Sequence, residues 1–358
     1  MNVLYVPDSY GGFLTASNAS ERVTRRLTLH GLRAVGHPLS DGGEGLCEIL
    51  QHHLGGTLHS TRVSGPYGDP TLARWLHLDQ TVVVESAQAI GLALSPRRQP
   101  LQASSSGLGE LLGELRNQHP RIILGLGGSA TVDAGMGMLQ ALGARLRCSN
   151  HEALVQPFTA GQLETIEEIR WHGDDWHQLE VLADVTTPFL DAPAVFGPQK
   201  GLQAGEIAPL TRAFERLTKL LEEQRLNHKC TPLPVDLPGG GAAGGISYVL
   251  QAVLNATAHS GAQCIADMTG LDARLDQAQV VVLGEGRLDP PSLAGKVAGE
   301  VITRARARGL KIVALVGAAR DLPHPPAGPD HVIETGEPTM EAFDRATDTL
   351  AGWLHRIR

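Results

Sequence analysis

The sequence predicts an α/β protein of two α/β domains: a flavodoxin-like doubly wound domain built from both termini, with a second α/β domain inserted in the middle. Three observations predict it. Short apolar runs that read as buried strands alternate with helical patterns along the 358 residues. Runs near the start (Val3–Val6, Arg33–Pro38) and near the end (Gln279–Leu283, Lys311–Val316, His331–Glu334) together make a five-stranded set. Glycine-rich turns follow several strands at their carboxyl ends, where open α/β sheets place ligands. The expected domains are 1–55 plus 270–358, and 56–269, with the active site in the cleft between them.

The length suits two domains with ample core, and 42% of residues are hydrophobic against 4% aromatic, so that core rests on Leu, Val, Ile and Ala. A formal charge of −8 argues against a general nucleic-acid or anionic-membrane partner. An anionic substrate then needs a local positive cluster. Lysines are few (Lys200, Lys219, Lys229, Lys296, Lys311), and Lys200 and Lys296 adjoin glycines. Cys47, Cys148, Cys230 and Cys264 show no CxxC spacing and read as small core hydrophobes in a reducing cytosol. No charged-then-apolar leader and no membrane-length apolar segment is found, so the expected location is cytoplasmic.

In chain order, the first strand ends at Pro7-Asp8-Ser9-Tyr10-Gly11-Gly12, and a helix follows over about Ala16–Leu29. The second strand leads to Asp41-Gly42-Gly43-Glu44-Gly45 and a helix carrying Leu46, Ile49 and Leu50. Thr57–Val63, Thr71–Leu78 and Thr81–Glu85 alternate like strands joined by turns, an antiparallel piece. A helix over Gly107–Leu115 precedes Arg121–Leu146, around which the chain is organised. There the strand Ile122–Leu124 runs into Gly125, Gly127, Gly128 and Ser129, and a helical period follows through Val132, Met136, Leu139 and Leu142. Ser129 is placed to cap that helix, with Asp133 in its first turn. Such a strand, glycine turn and helix start offers unpaired N–H groups to an anion.

Further on, Gln178–Ala183 is a buried strand ending at Asp184, and Phe196–Gly201 reads as a loop carrying Lys200. Pro209–Gln224 is an amphipathic helix. Pro238–Gly245, with Gly240 and Gly241 at its centre, reads as a second backbone cradle opening a helix through Asn255. Gly284-Glu285-Gly286-Arg287-Leu288-Asp289 follows another strand, Gly295-Lys296 lies in the next helix, and Met340–Ile357 closes the chain.

Cradle-like glycine loops suggest phosphates. No Walker A motif is present, because Val297 follows Lys296 and Pro290 stands where the leading glycine belongs. Gly125–Ala130 fits a relaxed dinucleotide pattern but lacks the acidic ribose partner. Fifteen histidines show no HxxxH or HExxH spacing. The strand-end carboxylates Asp8, Asp41, Glu44, Asp184, Glu285 and Asp289, beside Arg287 and Lys296, suit phosphoryl transfer. That chemistry needs a carboxylate for Mg²⁺, a group to orient the attacking hydroxyl, and cations or amides around the moving phosphoryl.

The segments PDSYGGFLTAS, DGGEG, SGPYGDP, VVVESAQAIGLAL, RIILGLGGSATVDAGMGMLQALGARL, ADVTTPFL, FGPQKG, PGGGAAGG and GEGRLDPPSLAGKV run in order over nearly the whole chain. In them the sequence resembles the bacterial glycerate kinase type I family. The resemblance implies a two-domain kinase that phosphorylates D-glycerate with ATP and Mg²⁺, usually to 2-phosphoglycerate, with 3-phosphoglycerate as the other product. Implied partners are the nucleotide and glycerate, with no nucleic acid and no membrane, in a monomer or homodimer. On this reading Gly127, Gly128, Ser129, Gly240, Gly241 and Lys296 bind nucleotide. Asp184 and Glu285 hold Mg²⁺. Asp8, Ser9, Lys200 and Arg287 bind substrate. Asp41, Arg287 and Asp289 act in catalysis. Two places depart from the family pattern. Gly11 stands where a lysine usually follows the aromatic, and Pro291 replaces a polar residue before Ser292. Alternative readings are a kinase of another small hydroxy acid, a nicotinamide-dependent oxidoreductase, and a kinase-like protein that binds ligand without turnover.

Overall fold

The computed structural model describes residues 1–149, 152–173, 176, 178–227, 231 and 233–357, so Lys229 and Cys230 lie outside the described residues. In chain order the strands are β1 (Asn2–Pro7), β2 (Arg33–Gly36), β3 (Thr57–Ser64), β4 (Pro70–Leu78), β5 (Thr81–Glu85), β6 (Arg121–Gly125) and β7 (Arg145–Arg147). There follow β8 (Glu168–Arg170), β9 (Leu179–Leu182), β10 (Thr257–His259), β11 (Val280–Leu288), β12 (Lys311–Ala319) and β13 (His331–Glu334). The chain divides into two compact units. One comprises Met1–Asp41, Glu48–His53 and Ser260–Arg358; the other comprises Gly42–Cys47 and Leu54–His259.

The first unit is the expected doubly wound sheet. Its strand order is β13-β12-β11-β1-β2, and every neighbouring pair is parallel. Numbered within the unit, that is the flavodoxin order. Val3–Val6, Val280–Leu283 and Ile312–Val316 are all buried, as a parallel sheet covered on both faces requires. Helices Ala16–Leu29 and Met340–Arg356 supply Val23, Leu27, Phe343, Leu350 and Leu354 to the core over one face. Above that core Arg22 and Arg26 make paired hydrogen bonds to Asp344 and Asp348.

The second unit holds a six-stranded sheet in the order β10-β9-β6-β5-β4-β3. The β3, β4 and β5 strands are antiparallel, as the alternating sequence predicts, and the β5, β6, β9 and β10 strands are parallel. A two-stranded β7-β8 sheet was not foreseen.

Three local expectations are corrected. After β6 the helix begins only at Met136, with Gly135 at φ 74 as its N-cap, so Ser129 caps nothing and Asp133 precedes the first turn. Phe196–Lys200 is not a loop but the end of helix Ala192–Lys200, which tolerates Gly197 and Pro198 and stops at the left-handed Gly201. Lys296 is the N-cap of helix Val297–Ala307 rather than a member of it. Cys47 is buried, as expected, while Cys148 and Cys264 are half-buried.

Candidate active site

In the doubly wound unit β1 ends at Pro7, opposite Gly284, while β11 and β12 stay paired as far as Leu288 and Ala319. Residues 285–288 therefore project past the carboxyl end of β1, where the Asp8–Gly12 loop turns across them. Asp8 N–H donates to the Gly284 carbonyl at 2.8 Å and Gly286 N–H to the Ser9 carbonyl at 3.2 Å. This approach explains the GEG pattern. A Cβ on Gly284 would lie 2.5 Å from the Tyr5 hydroxyl, and one on Gly286 would lie 3.0 Å from the Gly11 nitrogen. Strand alternation puts Glu285 and Arg287 on the opposite face. Tyr10 anchors the loop, its hydroxyl donating to the Leu315 carbonyl at 2.6 Å and bonding the Tyr5 hydroxyl at 2.8 Å.

This edge collects Asp8, Asp41, Glu285, Arg287, Asp289 and Lys296. Burial, then the negative charge of Asp8, pushes the Glu285 carboxyl up to about 8; Asp41 and Asp289 add to the rise and Lys296 opposes it. Glu285 Oε2 is buried and has no hydrogen-bond partner among the described residues. Lys296 Nζ lies 3.8 Å from Asp41 Oδ2. Arg287, exposed over 61% of its side chain, reaches Asp289 Oδ2 with Nε at 3.1 Å. Asp289 Oδ1 accepts from Ser292 N–H at 3.2 Å and from its hydroxyl at 3.0 Å, capping the single turn Pro290–Leu293. Pro291 falls in that first turn, where no N–H is needed, so the turn tolerates it. Ser9 N–H closes onto Asp8 Oδ1 at 2.6 Å.

In the other unit the β6 turn is built differently from the sequence picture. A Cβ on Gly127 would lie 2.4 Å from Gly43 Cα, and one on Gly125 would lie 2.1 Å from the Gly42 carbonyl oxygen. The two glycine loops thus pack backbone to backbone. Among the described residues the N–H groups of Gly127, Gly128 and Ser129 find no acceptor, as an anion site requires. Lys200 is buried, and its ammonium donates to Ser129 Oγ at 3.0 Å and to the Thr131 carbonyl at 2.7 Å. Burial pulls that ammonium down to about 7, with Asp133 opposing the shift.

The second glycine run packs closely against its neighbours. Gly240 N–H goes to the Leu237 carbonyl and Gly241 N–H to Thr187. A Cβ on Gly241 would sit 2.6 Å from the Pro188 carbonyl oxygen, and one on Gly244 would sit 2.2 Å from that of Thr131. Asp184 is half-buried just beyond β9.

Two organising carboxylates have roles that the sequence did not suggest: Asp133, read there as a first-turn acid, and Glu85, read only as the end of a strand. Asp133 is fully buried and accepts from Ser105 N–H at 2.8 Å, Ser105 hydroxyl at 2.7 Å, and the Gly135 and Gly137 N–H groups at 3.2 Å each. Glu85, at the end of β5, accepts from Cys47 N–H at 2.8 Å and Gly45 N–H at 3.2 Å, which caps helix Leu46–Leu54. An acidic residue closing an otherwise apolar strand was the available signal.

The sequence profile of the glycerate kinase family matches residues 3–354. Glycerate 2-kinase of Escherichia coli K12 is 34% identical over 90% of this chain and 86% of its own length. Glycerate kinase of Neisseria meningitidis serogroup B is 30% identical over 97% and 95% respectively. A crystal structure from Salmonella typhimurium LT2, described as a candidate glycerate kinase 2, superposes with a TM-score of 0.80 at 32% identity, covering 99% of this chain and 98% of that one.

Proposed function

The chain belongs to the glycerate kinase family, and we propose that it transfers the γ-phosphoryl group of ATP to a hydroxyl of D-glycerate, giving 2-phosphoglycerate. Membership makes it a phosphotransferase, which displaces the nicotinamide reading. The observation that carries the detailed proposal is the strand-end cluster around Glu285, with its buried, unpartnered Oε2.

That oxygen fits Mg²⁺, a hard cation held by one or two carboxylates while waters and phosphates complete its shell. Among the described residues no group of three His, Cys, Asp or Glu forms a ready-made cage, which agrees with a cation that arrives with the nucleotide. Glu285 is the protein ligand so supported; Asp184, the other sequence candidate, gains no such support. Bound Mg²⁺ would neutralise charge on the transferring phosphoryl. Arg287 binds the glycerate carboxylate. Asp41, paired with Lys296, orients the reacting hydroxyl, and a loose transition state needs no strong base. Asp289 positions Arg287, and Asp8 and Ser9 line the substrate side. In the other unit, the amides of Gly127, Gly128 and Ser129 hold nucleotide phosphates.

No helix among the described residues is long and apolar enough to cross a membrane. ATP and glycerate as substrates suit a cytoplasmic location. Release of ADP from ATP, dependent on D-glycerate and Mg²⁺, tests the reading.

A further inference from the structure

Three of the sequence motifs meet at the buried Lys200. Its backbone is fixed by the end of helix Ala192–Lys200. Gly201 adopts φ 103, and Leu202 N–H closes onto the Gly197 carbonyl at 3.0 Å. A Cβ on Gly201 would stand 2.3 Å from the Arg98 carbonyl oxygen, so this helix end packs closely on the Arg98 backbone. The ammonium bonds Ser129 and Thr131 of the β6 turn. Gly244 of the second glycine run presses on the same Thr131 carbonyl.

Both acceptors are neutral oxygens. The charged group that acts on Lys200 is Asp133, whose carboxylate is already held by Ser105, Gly135 and Gly137. A buried ammonium without a close carboxylate is expensive, and an apolar side chain would pin the turn at lower cost. The positive charge is therefore retained for something beyond packing, and the unbonded amides of Gly127, Gly128 and Ser129 lie on the residues it holds.

We propose that Lys200 is a positioning residue which aims these three amides and supplies the positive charge behind them, so that binding of a nucleotide's phosphates depends on its protonation. This rests on the reading of the β6 turn as the phosphate site. The direction follows from the chemistry. Burial has already brought the ammonium down to about 7. A bound anion favours the charged form, so affinity is highest below that value and falls as the proton is lost.

The test is equilibrium binding of MgADP between about pH 6 and about pH 8.5, beside ATP turnover, with folding checked by circular dichroism. Wild-type affinity should fall roughly tenfold across that range after allowing for the ionisation of ADP. Lys200→Gln, which keeps a donor and loses the charge, should bind about tenfold more weakly at the acid end and lose the pH dependence. Ser129→Ala, a milder change, should raise the KM for ATP several-fold while kcat stays within about twofold. A wild-type affinity that does not change with pH, or a folded Lys200→Gln with wild-type affinity and pH profile, overturns the proposal and leaves the kinase reading standing. A wild-type protein that neither binds MgADP nor turns over ATP overturns both.

Discussion

The Glu85 carboxylate accepts the Cys47 N–H at 2.8 Å from 38 residues away. With the Gly45 N–H on its other oxygen, it fills the N-terminus of helix Leu46–Leu54, the place a local cap or a bound anion takes elsewhere. The DGGEG motif is in this respect scaffold, its helix start occupied by the protein's own acid. Glu85→Gln turns one charged acceptor into an amide that presents N–H to N–H. The expected loss is about 1–3 kcal/mol. Thermal unfolding followed by circular dichroism should show a midpoint about 3–10 °C lower. An unchanged midpoint would rule out the capping role.

Glu285 gives the ligand-free protein a pH signature. Its carboxyl titrates at about 8 in the fold, against an ordinary 4.5. The folded protein keeps a proton that the unfolded chain releases, so Glu285 contributes full stability below the ordinary value, and that contribution is lost as pH rises towards 8. The stability that wild type holds over Glu285→Gln, read by denaturant unfolding, should show this decline, because subtracting the variant removes the slopes of the other titrating groups. Mg²⁺ needs the ionised form, so its affinity in wild type should rise with pH over the same window, and the variant should lose that affinity. Parallel stability slopes in the two proteins would mean that Glu285 is ionised throughout.

Arg287 is the exposed cation at this edge, held by Asp289. If it carries the glycerate carboxylate, Arg287→Ala removes a charge-assisted pair of about 1.5–3 kcal/mol. Steady-state kinetics should then show kcat/KM for glycerate lowered roughly 10–100-fold, with folding unaffected. An unchanged kcat/KM would remove Arg287 from the mechanism.

Gly11 stands where the resemblance set out from the sequence leads to the expectation of a lysine. It adopts φ 55, and a Cβ there meets nothing within 4 Å. A side chain therefore fits, at a backbone cost of about 1–2 kcal/mol. Gly11→Lys should fold and lower the KM for glycerate by restoring a cation near Asp8 and Ser9. A raised KM with normal stability would indicate that the site is tuned to do without that charge.

The terminal sheet was legible because its signal is local. Apolar runs such as Val280–Leu283 need only be buried, and flanking glycine loops mark their ends. What escaped the sequence depends on distant partners. Ser129 looks like a helix cap until Lys200, 71 residues on, takes its hydroxyl. Phe196–Gly201 looks like a loop because of Gly197 and Pro198, yet the helix persists to Lys200 and ends on Gly201. The Gly239–Gly245 run signals close approach without saying of what. Here the neighbours are the Pro188 and Thr131 carbonyls and the Phe189 and Phe214 rings. At the candidate site, the GEGR and DGGEG carboxylates could be named from sequence. Which of them carries a buried oxygen with no partner among the described residues could not, because that depends on what packs around the strand end in three dimensions.

The most direct test is incubation of the protein with ATP, Mg²⁺ and D-glycerate, following ADP release and resolving the product by ³¹P NMR. The expected result is glycerate-dependent ADP with a 2-phosphoglycerate signal. Nucleotide binding with no glycerate-dependent ADP would contradict the account, and a 3-phosphoglycerate signal would contradict its regiochemistry.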